Sequence, residues 1–206
     1  MAQVHLASLL TLAGAEVCGV ASHDMLPAVS ELCESQAVPV GSSLEWLTGS
    51  CRPDAVVLAT PTDTHARLVV EAARAGCHVF CEKPLGRTAT EAVGSLTACR
   101  EAGVKLSVGH VVRYFPAYAR IAEMVKSGQI GAPGLAKCQR VSGPPGAVRQ
   151  WYGDASRSGG LLLDMGVHDF DWLRWCLGPV RRVSAVTSRS DLGQAAMVVL
   201  AHTSGA

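Results

Sequence analysis

Residues 55–84 read AVVLATPTDTHARLVVEAARAGCHVFCEKP. The run at 55–59, AVVLA, is apolar on both faces of an extended chain, and so is HVFC at 78–81. Runs of this kind fit parallel strands covered on both sides. Between them, 65–75 places Leu68, Val69, Ala72 and Ala73 on one helical face. Gly76 is the expected stop, and Thr62 or Asp63 the expected N-cap. Strand, helix, strand implies a right-handed crossover. The cadence continues in both directions: 17–21 and 104–108 read as strands, and 88–102 as a second helix stopped by Gly103. The pattern predicts an α/β fold, a doubly wound parallel sheet.

Beyond about residue 110 the texture changes. A helix is expected at 114–126, ending at Ser127-Gly128. Gly/Pro-rich stretches at 130–134 and 142–146 flank an expected strand at 135–141. Gly159-Gly160 opens an apolar segment that runs through 177, and 183–186 and 195–201 read as further strands. The best division is 1–111 and 112–206, the second part being α+β.

Composition narrows the function. The 206 residues are 49% hydrophobic and 17% charged, which argues against disorder. A net charge of +1 gives no footprint for nucleic acid or acidic membranes. No apolar run approaches the ~18 residues of a membrane span. The first residues, MAQVHLASLLTLAG, lack the basic start of a signal peptide. Eight cysteines contain no C-x-x-C pair, so they read as small reduced core residues of a cytoplasmic protein, and no metal site is expected.

In open parallel sheets, ligands bind beyond the carboxyl ends of the strands. Ser22-His23-Asp24, Thr60-Pro61-Thr62-Asp63-Thr64-His65 and Glu82-Lys83-Pro84 follow three successive strands. Each cluster alone carries little weight, because polar turns follow most strands; together they are expected to line one crevice. Lys83, between Glu82 and Pro84, suits holding a substrate oxygen or moving a proton. Downstream, Asp164 and His168 are four apart, on one face if the segment is helical. A carboxylate beside an imidazole can orient it as a general base; a capping Asp and an ordinary His would look the same. Asp169 and Asp171 read as solvated or paired with Arg174. Trp151, Tyr152 and Arg157 suit either a sugar site or an ordinary loop.

The combination ATPTDTH, AGCHVFCEKPL and GGLLLDMGVHDFDWLRW resembles the glucose–fructose oxidoreductase/inositol dehydrogenase (Gfo/Idh/MocA) family over essentially the whole chain. The resemblance implies a Rossmann domain for NAD(H) or NADP(H), followed by a substrate domain with an open, mainly antiparallel sheet. It implies an oxidoreductase acting on a secondary alcohol or ketone of a sugar, cyclitol or related polyol, homo-oligomeric in its full-length form. Carried over by position, Lys83 contacts substrate and nicotinamide, and Asp164 and His168 form the acid/base pair. Ala59, Thr60, Pro61 and His65 line the dinucleotide, and Glu82 lies near the nicotinamide ribose.

Two departures accompany the resemblance. Family members open on a strand and a Gly-x-Gly-x-x-Gly/Ala turn, whose N–H groups hold the pyrophosphate. Here Ala2 matches the third small position, His5 falls on the helix after it, and the strand and first glycines have no counterpart. The second domain also stops early. The sequence is therefore expected to be a piece of a longer enzyme, cut at both ends and weak in binding cofactor. An acidic residue at the end of the second family strand favours NAD(H). Here Ser22 and His23 stand there, so NADP(H) is favoured over NAD(H). A dinucleotide sensor without turnover, or an inactive fragment, remain the alternatives.

Overall fold

The computed structural model describes residues 1–143, 150–190 and 193–206. The second half of the expected turn at 142–146 lies outside the described residues. Contacts divide the chain into two units, Met1–Gly109 and His110–Ala206.

The first unit begins with helix α1 (Ala2–Thr11), followed by β1 (Val20–Ala21), α2 (Pro27–Ser35) and β2 (Val40–Gly41). Pro27 opens α2 at a position where its fixed φ is already helical and its missing N–H costs nothing. β1 and β2 pair in parallel, Val20 with Val40 and Ala21 with Gly41. Gly41 is required there: a Cβ would stand 2.1 Å from the indole of Trp46. Trp46 lies in the short helix α3 (Leu44–Trp46), capped by Ser43, whose Oγ accepts the Trp46 N–H at 3.1 Å. One π-helical turn, Leu47–Cys51, leads onward.

The segment that decides the fold forms β3 (Ala55–Leu58), α4 (Thr62–Arg74) and β4 (His78–Cys81), then α5 (Ala89–Glu101) and β5 (Leu106–Val108). β3, β4 and β5 form one parallel sheet, with Val56 beside Val79 and Phe80 beside Ser107. The first unit has the α/β, Rossmann-like parallel arrangement expected from the sequence, its strands divided between a two-stranded and a three-stranded sheet. Val56, Leu58, Val79 and Cys81 alternate inward and meet Val69, Ala72 and Ala73 of α4. Each large aliphatic side chain buried this way contributes about 1.5–3 kcal/mol. Leu6, Val29, Cys33 and Val38 form a second core cluster. Burial, with Glu82 and Cys99 beside it, pushes the Cys81 thiol up to about 12. All eight cysteines are free.

One cap differs from expectation. α4 starts at Thr62 with Pro61 as N-cap, so neither Thr62 nor Asp63 caps it. Pro61, at φ −60°, needs no hydroxyl to set the entry angle, and Thr62 is buried instead. Thr88 does cap α5, accepting from the Glu91 N–H at 3.1 Å.

The second unit starts with a 3-10 turn, Val111–Tyr114, and α6 (Pro116–Lys126). No strand forms at 135–141. Leu135 and Val141 are exposed, and a strand without a partner has no ladder to complete. The short helices α7 (Gln150–Gly153), α8 (Ala155–Ser158) and α9 (Gly160–Asp164) precede α10 (Gly166–Leu177). β6 (Val180–Ser190) and β7 (Gly193–His202) close the chain as an antiparallel hairpin. Trp172 of α10 donates its indole N–H to Tyr118 O at 3.2 Å, holding α10 to α6. Asp171 pairs with Arg113 and Asp169 with Arg140, not with Arg174. Arginine's planar fork suits such two-point pairing, and both partners lie far away in sequence. Among the described residues no helix is long and apolar enough to cross a membrane. None of their His, Cys, Asp and Glu side chains form a group of three or more placed to hold a metal ion.

Candidate functional site

In the first unit the polar turns stand at the carboxyl ends of the parallel strands. Ser22 follows β1, and its N–H bonds Gly41 O at 3.0 Å, closing the short ladder; His23 beyond it is exposed. Ala59 and Thr60 follow β3, half-buried. The Thr60 and Thr64 hydroxyls lie 2.7 Å apart, and Thr64 Oγ1 also donates to Pro61 O at 2.7 Å. Ala2 opens α1 and packs against the second core.

His65 sits one turn into α4 and is 1% exposed. Its Nδ1 lies 2.7 Å from Pro84 O and its Nε2 2.9 Å from Thr60 O. The ring therefore ties the turn after β3 to the turn after β4. Any effect of His65 on a ligand at these strand ends would run through those two main-chain segments.

Glu82, Lys83 and Pro84 follow β4, with a cis peptide between Lys83 and Pro84. The Glu82 N–H continues the ladder to Leu58 O at 2.9 Å. Its carboxylate meets His5 Nε2 at 2.7 Å and accepts the Lys83 N–H at 3.2 Å. Burial pushes the Glu82 carboxyl up, but the His5 hydrogen bond and charge, with the Lys83 N–H and ammonium, outweigh it. The group is held below the ordinary carboxylate value. Lys83 is half-buried beside this fixed negative charge.

In the sequence His5 reads only as a helix residue. The signal for its role is weak: an imidazole one turn into a helix, with its partner 77 positions away.

In the second unit Asp164 ends α9, and His168 lies in the first turn of α10. The helix expected there is interrupted at Met165, so the four-residue spacing spans two helices. Asp164 is 7% exposed, and His168 is half-buried. Gly159 and Gly160 both take φ near +80°. At Gly159 a Cβ would stand 2.3 Å from Leu163 Cδ2, so chain packing alone requires that glycine.

Residues 1–110 match the Gfo/Idh/MocA family, described as an oxidoreductase family with an NAD-binding Rossmann fold. The chain belongs to the Gfo/Idh/MocA family. Residues 118–206 match the GFO/IDH/MocA C-terminal domain. Inositol 2-dehydrogenase of Rhizobium meliloti is 34% identical over 176 residues, 85% of this chain and 52% of that protein. Myo-inositol 2-dehydrogenase of Thermotoga maritima is 36% identical over 164 residues, 74% of this chain and 47% of that protein. The WlbA dehydrogenase of Bordetella pertussis, solved with NADH and UDP-GlcNAcA, superposes with a TM-score of 0.84 at 25% identity. That likeness covers 100% of this chain and 61% of WlbA. The chain spans about half the length of the curated relatives it matches.

Proposed function

We propose that this Gfo/Idh/MocA chain carries the catalytic residues of an NAD(P)-dependent oxidoreductase. Its substrate class is a secondary alcohol or ketone of a sugar, cyclitol or related polyol. The observation that supports this best is the Glu82-Lys83-Pro84 turn. A half-buried ammonium stands at a strand's carboxyl end, beside a carboxylate held ionised by His5. The inositol dehydrogenases among the relatives point to the substrate class.

The groups at the strand ends suit a dinucleotide, because hydroxyls there can donate to phosphate oxygens and a carboxylate can accept from ribose hydroxyls. Ala2, Ser22, His23, Ala59, Thr60, Pro61 and Glu82 would hold it, with His65 supporting Thr60 and Pro84 from beneath. When bound, the nicotinamide supplies a hydride acceptor or donor. Lys83 would hold the substrate oxygen, and His168 would take the hydroxyl proton, oriented by Asp164. Ser22 is neutral, and His23 beside it is exposed, which favours a 2′-phosphate and hence NADP(H) over NAD(H).

Titration of the chain with NADPH and NADH, followed by turnover with a panel of cyclitols and sugars, tests the reading. Preferential NADPH binding and polyol-dependent reduction of NADP⁺ are expected, with turnover lost in Lys83→Met and His168→Ala. Binding without turnover of any polyol would favour a dinucleotide sensor, and absence of binding would sink the reading.

A further inference from the structure

We infer that His5 is a positioning residue for the nicotinamide end of the dinucleotide site, acting through Glu82. The inference rests on the function proposed above. The two side chains come from α1 and from the turn after β4, and they meet at 2.7 Å. Both are largely shielded, 24% and 13% exposed, so water competes weakly for the contact.

Two further contacts leave the carboxylate little freedom. Its second oxygen, Oε2, accepts the Lys83 main-chain N–H. Gly109 backs it so closely that a Cβ there would lie 3.3 Å from Oε2. Gly109 is itself held by its N–H to Cys81 O at 2.8 Å. The imidazole is fixed too: its ring stands edge-on to Phe80, with centroids 5.3 Å apart and planes at 64°. A carboxylate facing Nε2 requires that nitrogen to carry the proton, so His5 is the donor.

The chain thus spends an imidazole on orienting one carboxylate beside Lys83. Without that donor, Glu82 keeps only the Lys83 N–H and the pull of the neighbouring ammonium. The carboxylate would then turn toward Lys83 and leave the orientation in which it can accept from a ribose hydroxyl. A second consequence concerns α1, whose first turn is pinned to the turn that carries Lys83. The same bond therefore fixes the start of the helix and the reactive lysine relative to each other.

The test measures dinucleotide dissociation constants and melting temperatures for the full 206-residue chain and for His5→Leu, His5→Gln, Glu82→Gln and the His5→Leu/Glu82→Gln double variant. NADPH and NADH are the probes. His5→Leu is expected to weaken binding about tenfold, the worth of one charge-assisted hydrogen bond. His5→Gln, whose amide N–H can reach Oε1, is expected to recover most of that loss. The double variant should bind no more weakly than Glu82→Gln alone. The inference is overturned if His5→Leu binds like wild type. It is also overturned if Gln fails to rescue while affinity falls in step with melting temperature, or if the two losses add. A wild-type chain that binds neither dinucleotide overturns the functional reading and this inference with it. Normal wild-type binding with an indifferent His5→Leu overturns the inference alone.

Discussion

Replacing His65 with alanine removes the ring that joins two turns of the first unit. The two ring nitrogens face the carbonyls of Pro84 and Thr60, and a neutral imidazole donates to one of them, so losing that hydrogen bond costs about 1–3 kcal/mol. The ring is almost wholly enclosed, so the void it leaves adds about 1–2 kcal/mol. Partial relaxation and water entry work against the sum, leaving an expected loss of about 2–4 kcal/mol. Against a typical domain stability of about 5–15 kcal/mol, the first unit would become marginal near room temperature. Urea unfolding followed by far-ultraviolet circular dichroism measures it. The midpoint should fall with little change in slope, since the surface exposed on unfolding is nearly the same. A loss under about 1 kcal/mol would refute the reasoning, because it would mean that the released carbonyl finds another donor and the void closes at no cost.

Other outcomes follow from the same geometry. Gly41→Ala should destabilise the first unit by about 1–3 kcal/mol, since its Cβ meets the Trp46 ring; a neutral effect in urea would show that Trp46 moves freely. Lys83→Met should reduce polyol turnover at least about a hundredfold while leaving the melting temperature nearly unchanged. Glu82 is held below its ordinary value when folded, so its contribution to stability is present at neutral pH. That contribution is lost as pH falls from the ordinary carboxylate range through the lowered folded value, and His5→Leu should flatten this part of the stability–pH curve. Cys81, with its thiol pushed up to about 12, should resist thiol reagents at neutral pH until the chain unfolds.

The strands at 55–58 and 78–81 were legible because both their faces are apolar, and α4 because its inward residues recur at helical spacing. β2 was not: two residues after a proline carry no period to read. α2 escaped too, although Val29, Leu32 and Cys33 stand at helical spacing after Pro27, because a nine-residue run gives that spacing no further turn to repeat in. The run at 135–141 failed in the other direction, having β-like composition but no partner strand to pair with. The candidate turns were visible as polar clusters after strands, yet the contacts that organise them were hidden. His5 meets Glu82 across 77 positions, and Asp171 meets Arg113 across 58. Local spacing favoured nearby Arg174 for that aspartate, but the folded chain brought a more distant fork within reach.

The parallel strands fall into two ladders: Ser22 and His23 end a rung pair of their own, while Lys83 stands on the three-stranded sheet. Residues that would discriminate one dinucleotide from another thus share no main-chain bond with those that would perform the chemistry. If these two positions set cofactor preference as proposed, that preference is separately adjustable, at one half-buried and one exposed residue. Substitutions at 22 and 23 would then leave the ladder that carries Lys83 undisturbed.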